Sequence, residues 1–200
     1  MIINGKELEF IEDEHIYLVD GVIVPSVTQI LSYRFGGKYS CVSPAVLQRA
    51  AEKGTLVHEA IEMYCKTGEE IELPELRNFK FLQRAYGFKV LDNEVPVILE
   101  NKEGEVIGAG RLDLVLELDG KVGGADIKRT SVLDKEYLAY QLNLYRLAYR
   151  QSYGIEWEFL RGVHLRDDVR KFVEIPINEM RIWEFLDEWQ RNKEFFNGED

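Results

Sequence analysis

The residues best placed to do chemistry lie in the stretch 108–128, GAGRLDLVLELDGKVGGADIK, where the pattern predicts that Asp113, Asp126 and Lys128 share one β-hairpin. Asp119-Gly120 is a two-residue turn signal between an alternating apolar run over 112–118 and a second run over 121–127. Closing the hairpin there pairs Leu118 with Lys121 and sets Asp113 opposite Asp126. Carboxylates opposed with Cβ atoms about 5 Å apart repel unless they share a positive group, and a divalent cation is the natural one. Lys128, two residues beyond Asp126, points to the same face. One or two bound Mg2+ or Mn2+ ions would polarise a phosphate and acidify an attacking water, while Lys128 stabilises the developing charge or orients that water. The competing reading is a surface hairpin with a wet acidic face. Against it stands the second strand, GGADIK, poor in surface character and glycine-rich where another backbone or a ligand approaches closely.

The elements that must position these groups follow from periodicity and punctuation. Residues 8–24 alternate around Asp20-Gly21 as a small antiparallel hairpin. Ser26 caps a short helix with Val27, Ile30 and Leu31 on its apolar side, and Phe35 to Lys38 is a loop. Ser43-Pro44 starts a second helix, which Gly54 is expected to break or kink before it ends at Gly68. A helix is expected over 74–91, then strands over 94–99, 105–118 and 121–127. A broadly apolar helix over 134–153 follows, then strands at 155–165 and 169–175 and an amphipathic helix over 178–195. From residue 44 the order is helix, three strands, helix, strand: an α/β sandwich around a mixed sheet.

A chain of 200 residues, 46% hydrophobic, suits a single domain with a sizeable core. It divides into the N-terminal hairpin and short helix (1–42), a core (43–165) and a C-terminal strand and helix (166–200). No apolar run is long enough to span a membrane, and the start MIINGKELEF has neither signal-peptide nor transit character, so a cytoplasmic location is expected. Cys41 and Cys65 are far apart and outside any CxxC pattern, which supports neither a zinc cluster nor a disulfide framework. The net charge of −11 disfavours non-specific binding to phosphate backbones, yet residues 128–171 carry nine Lys/Arg against six Asp/Glu. Global acidity therefore does not exclude a local nucleic-acid site.

His58 and Glu62, four apart on the second helix, share a face, as do Gln141 and Tyr145 on the later one. His58 adds a metal ligand from a neighbouring helix on one reading and is merely packed on the other; for Gln141 and Tyr145 the plain alternative is core packing with satisfied polar ends. His15 and His164 have no partner in sequence and are assigned no role. Tyr33, Phe35 and Tyr39 are candidates to stack on an unpaired terminal base, or else anchor their loop.

The ordered series GTLVHEAIEMY, NEVPV, GAGRLDLV, ADIKRT and QLNLY resembles the PD-(D/E)xK nuclease superfamily, specifically its RecB-like and phage-exonuclease branch, over about residues 25–165. The early VPSVTQIL is similar to a segment that precedes the nuclease core in that branch. The resemblance implies a restriction-endonuclease-like αβββαβ core. It implies Asp113, Asp126, His58 and the Ile127 main-chain carbonyl as metal ligands for Mg2+ or Mn2+, with Lys128 the catalytic lysine. Gln141 and Tyr145 match a QxxxY element that contacts DNA or the scissile phosphate; Glu94 matches a glutamate that ligates metal or supports the site, and Glu62 is a weaker supporting candidate. The chain has too few cysteines for the iron–sulfur cluster of some relatives and no GxxxxGK[ST] motif for helicase work. The implied activity is hydrolysis of linear DNA from free ends in recombination or repair. An endonuclease of the same fold and an inactive DNA-binding subunit of a recombination complex are the alternatives. A recombination partner protein and a homo-oligomer are both compatible with the family.

Overall fold

The computed structural model describes residues 1–12, 14–37 and 43–196, with side chains to Asn192. Four short strands, β1 (Ile2–Ile3), β2 (Lys6–Ile11), β3 (Ile16–Val19) and β4 (Val22–Val24), form an antiparallel sheet in chain order. The expected hairpin is thus part of a four-stranded sheet, and its Asp20-Gly21 turn has both φ angles positive, at 50° and 78°, as a twisted two-residue hairpin turn requires. Helices α1 (Val27–Phe35), α2 (Pro44–Thr67) and α3 (Pro74–Tyr86) follow. A second sheet contains β5 (Lys89–Glu100), β6 (Val106–Leu118), β7 (Lys121–Lys128), β8 (Phe159–Leu165) and β9 (Arg170–Ile175) in chain order. Helix α4 (Lys135–Tyr153) joins β7 to β8, its parallel neighbour; the remaining pairs are antiparallel, and α5 (Glu179–Phe196) closes the chain. The architecture is mixed α/β. No helix among the described residues is long and apolar enough to cross a membrane.

The large sheet has a core on each side. One packs α1, α4 and α5 through Leu31, Leu138, Leu142, Tyr149, Phe185 and Trp189 against Val97, Val115 and Leu160. The other packs α2 and α3 through Val57, Ile61, Leu76 and Phe79 against Leu114, Leu116, Ile127 and Val163. The small sheet docks Leu8, Tyr17 and Val24 onto Ile98 and Ala109. Capping follows the chemistry of the sequence: Ser26 and Gln29 make a reciprocal capping box on α1, and Asp134 accepts from the Tyr137 N–H at the start of α4.

Two helices differ from expectation. Helix α2 runs through Gly54 without interruption; one glycine costs a helix only about 1 kcal/mol. Helix α3 stops at Tyr86 because Gly87 adopts a left-handed φ of 72° and its N–H closes onto Gln83, so the run from Lys89 is strand. The glycines of GGADIK do admit close neighbours: a Cβ on Gly123 would lie 2.4 Å from the Phe159 main-chain carbonyl oxygen, and one on Gly124 1.9 Å from Trp157 Cζ3.

Gly124→Ala should therefore destabilise the protein by about 1–3 kcal/mol through overpacking, read as a lower denaturant midpoint; wild-type stability would mean that the Trp157 contact is loose. The second expectation concerns acid. Glu179 is gripped by Arg150 through two bonds of 2.7 and 3.0 Å and by Arg146 at 3.0 Å. The Arg150 bonds lead in holding its carboxyl down at about 2, against burial. A depressed carboxyl contributes stability above its unfolded pKa, and that contribution is lost as pH falls from about 4.5 towards 2. Glu179→Gln should cost about 1 kcal/mol at pH 7, given solvent screening of a partly exposed group, and flatten the loss of stability between pH 5 and pH 2 in urea unfolding.

Candidate metal centre

The hairpin register is as the turn dictates, from Leu118–Lys121 to Leu114–Ala125, and there the β6–β7 ladder ends. Asp113 and Asp126 are therefore not a further ladder pair. Strand β7 continues alongside β8 as far as Lys128, so the sheet forks between β6 and β7. The backbone of Ile127 stands in the fork. Its N–H donates to Asp113 Oδ2 at 2.6 Å, and its carbonyl accepts from His58 Nε2 at 3.2 Å. Two side chains thus take the place of the missing strand partner.

Strand β6 also turns over at this point. Leu112 belongs to the core beneath α4 and Leu114 to the core beneath α2 and α3, although residues two apart in a regular strand share a face. In β5, Asn93 pairs with Leu114 and Val95 with Leu112, and Glu94 between them has a φ of +51°. A non-glycine residue held there is strained. The register is unbroken on either side, so Glu94 lies level with Asp113, and small residues earlier in β6 allow close packing: a Cβ on Gly110 would lie 3.0 Å from Tyr145 Cε1, and one on Gly108 would lie 2.7 Å from Ile30 Cδ1.

His58 Nδ1, on α2, lies 3.7 Å from Glu94 Oε1 and 3.6 Å from Asp113 Oδ1. One donor atom from each of His58, Glu94 and Asp113 falls within 4.8 Å of the others. With Nε2–H committed to the Ile127 carbonyl, the neutral ring presents Nδ1 as a lone pair to this cluster. Burial alone would lower the His58 pKa, but the carboxylates of Asp113, Glu94 and Asp126 outweigh it and hold it up at about 9. The centre attracts positive charge. Two carboxylate oxygens and one imidazole nitrogen form a donor set of the kind that holds a divalent metal ion.

Asp126 is almost wholly buried and its Oδ2 lies 2.5 Å from Lys128 Nζ, without a well-directed hydrogen bond. Burial raises the Asp126 pKa and Lys128 opposes that rise. For Lys128 burial works downward, but Asp126 and Asp113 prevail and raise it. From α4, Tyr145 lies against Gly110 of β6; burial, then the charges of Asp113 and Asp126, push its hydroxyl far above the ordinary range. Gln141, one turn earlier, is buried, and its Oε1 has no hydrogen-bond partner among the described residues.

The structure thus gathers His58, Asp113, Asp126, Lys128, Glu94, Tyr145 and the Ile127 main chain. Glu62 is instead paired with Lys66 at 2.5 Å, one turn along α2. Phe35 packs in the core against Tyr137 and Tyr140, which withdraws its ring from stacking, whereas Tyr33 is exposed, with its hydroxyl contacting Glu188 and Asn192. Tyr39 and Cys41 lie outside the described residues. Arg111 was missed: its Nε holds Glu94 Oε2 at 2.7 Å, leaving Oε1 towards His58. The strand pattern carried a signal, since Arg111 stands two residues before Asp113.

No protein-family model matches the chain, and no curated protein matches it. Among solved structures, one described as the crystal structure of SSO0001 is similar over 85% of this chain and 76% of that one, with 18% identity and a TM-score of 0.48.

Manganese titrated calorimetrically into the protein should bind at the His58–Glu94–Asp113 cluster, and Asp113→Asn should weaken it by about tenfold or more. Unchanged affinity would remove Asp113 from the ligand set.

Proposed function

We propose that the chain is a divalent-metal-dependent deoxyribonuclease with a restriction-endonuclease-like core, acting as an exonuclease on linear DNA and leaving 5′-phosphates. The observation that carries this reading is the fork at Ile127, where three convergent ligand donors stand beside the buried Asp126 and its half-buried partner Lys128. The order α3, β5, β6, β7, α4, β8, with β7 and β8 parallel, supports the αβββαβ core. Gln141 adds support, since a buried carbonyl oxygen without a partner costs about 1–3 kcal/mol and suits a group that meets substrate.

His58, Glu94 and Asp113 would hold Mg2+ or Mn2+, with Asp126 behind them. A bound ion of this kind supplies Lewis acidity and a lowered pKa for attacking water. Asp113 is oriented by the Ile127 N–H, and His58 by the Ile127 carbonyl, so both present fixed atoms to the centre. Lys128 is kept protonated by Asp126 and Asp113, and so places a full positive charge where a pentavalent phosphate gathers negative charge. Arg111 is a positioning residue that orients Glu94. Tyr145, protonated at all working pH, offers a hydrogen-bond donor to a phosphate oxygen.

The test is a time course on end-labelled linear single-stranded, linear duplex and covalently closed circular DNA with magnesium or manganese. Linear DNA should be digested from its ends and circles spared. Lys128→Ala should reduce the rate by about 10²-fold or more with unchanged circular dichroism. Cleaved circles would assign an endonuclease, and full activity of Lys128→Ala would overturn the site.

A further inference from the structure

Beside the metal centre lies an aromatic groove that the proposed chemistry does not use. It measures about 410 Å³ and is lined by Phe10, Tyr17, Arg111, Glu94, Glu7 and Glu9, a volume within the roughly 300–1,000 Å³ typical of small-molecule sites. Phe10 and Tyr17 are cross-strand partners on β2 and β3, with ring centroids 4.6 Å apart and planes inclined by 31°. His15 holds a left-handed φ of 54° and turns its exposed ring edgewise onto Phe10 at 5.3 Å. Arg111 Cζ lies 5.4 Å from the centroid of the Phe10 ring, and its Nε grips Glu94. One guanidinium therefore joins the aromatic platform to a ligand of the metal cluster.

Resting on the nuclease reading, we propose that this groove seats one unpaired nucleobase at the end of a DNA strand, stacked on Phe10 and Arg111, with its phosphate directed at the Glu94–Asp113–His58 centre. Ring faces and guanidinium planes stack on any base without reading sequence. The lining sets three carboxylates, Glu7, Glu9 and Glu94, against the Arg111 guanidinium and Met1, whose amino group donates to the Leu8 carbonyl. That balance repels a continuing run of phosphates and accepts hydrogen bonds from the exocyclic amines of a base edge, so the groove suits the last nucleotide rather than passing strand. Its continuity with the metal centre through Glu94 fixes which phosphate is reached first.

The experiment follows 2-aminopurine fluorescence in short single strands carrying the probe at a terminal or an internal position, with calcium present to hold the complex. Wild-type protein should quench the probe at one terminus and leave the internal one unchanged. Phe10→Leu, which keeps apolar bulk and loses the ring face, should abolish most of that quenching. With manganese it should raise KM for single-stranded ends about tenfold and leave kcat within about twofold. If Phe10→Leu proves misfolded by circular dichroism, His15→Ala at an exposed position carries the test, with the same direction and about a threefold effect. Equal quenching by wild type and variant, or equal quenching of terminal and internal probes, overturns the assignment. So does a concentration-dependent dimer that Phe10→Leu abolishes, which would give the face to a second copy. Protein that digests DNA without terminal quenching loses the groove and keeps the nuclease reading; protein that digests no DNA loses both.

Discussion

The structure turns on one backbone residue. Where β6 leaves β7, Ile127 would keep an N–H and a C=O facing no strand, and a buried orphan costs about 1–3 kcal/mol. Asp113 and His58 satisfy both groups. Fold and chemistry are thereby coupled, because the side chains that repair the fork are the ones that point their remaining atoms, Oδ1 and Nδ1, at one another and at Glu94. A regular ladder at this level would need neither residue and would leave no room between the strands for a third charged group.

Charge sets the second constraint. Asp113, Asp126 and Glu94 crowd a half-buried space, and the protein meets them with Lys128 on Asp126, Arg111 on Glu94 and a readily protonated His58 between. Removal of one partner from such a group leaves a buried charge uncompensated, which is far more costly than losing the pair together. The arrangement favours positive charge at the centre, while Lys128 and Arg111 each face a carboxylate of their own.

Much of this was legible in the residues alone, for local reasons. The Asp119-Gly120 turn fixes the hairpin register because both residues accept positive φ, and Ser26 and Asp134 announce helix starts through short-range bonds. The expected opposition of Asp113 to Asp126 does not follow from that register, because the ladder ends at Leu114–Ala125. What could not be read depends on distant partners. Glu94 joins the cluster because β5 and β6 change faces together, a property of two strands and not of either pattern. The glycines at 123 and 124 do mark close approaches, of the Phe159 carbonyl at Gly123 and of the Trp157 ring at Gly124, but which groups approach was not legible because both lie more than thirty residues on. Phe35 sits in a loop-like sequence, but its ring falls into the pocket between α1 and α4. Arg111 shows its role only once Glu94 is in place.

The GAG stretch at 108–110 explains how the small sheet and the His58–Glu94–Asp113 cluster come to be neighbours. Gly108 lets Ile30 of α1 and the Pro25 carbonyl approach β6, and the Ala109 N–H donates to that same carbonyl at 3.0 Å. Gly110 lets Tyr145 lie on the strand. A side chain at Gly108 would crowd the Ile30 side chain and the Pro25 carbonyl, and one at Gly110 would crowd the Tyr145 ring and Val27. Because Arg111 follows directly, the segment that docks the N-terminal sheet also aims the guanidinium between Phe10 and Glu94. Three small residues and one arginine thus set the distance from the aromatic platform to the carboxylates, and they do so through rigid strand geometry rather than through a loop that would have to be ordered by its ligand.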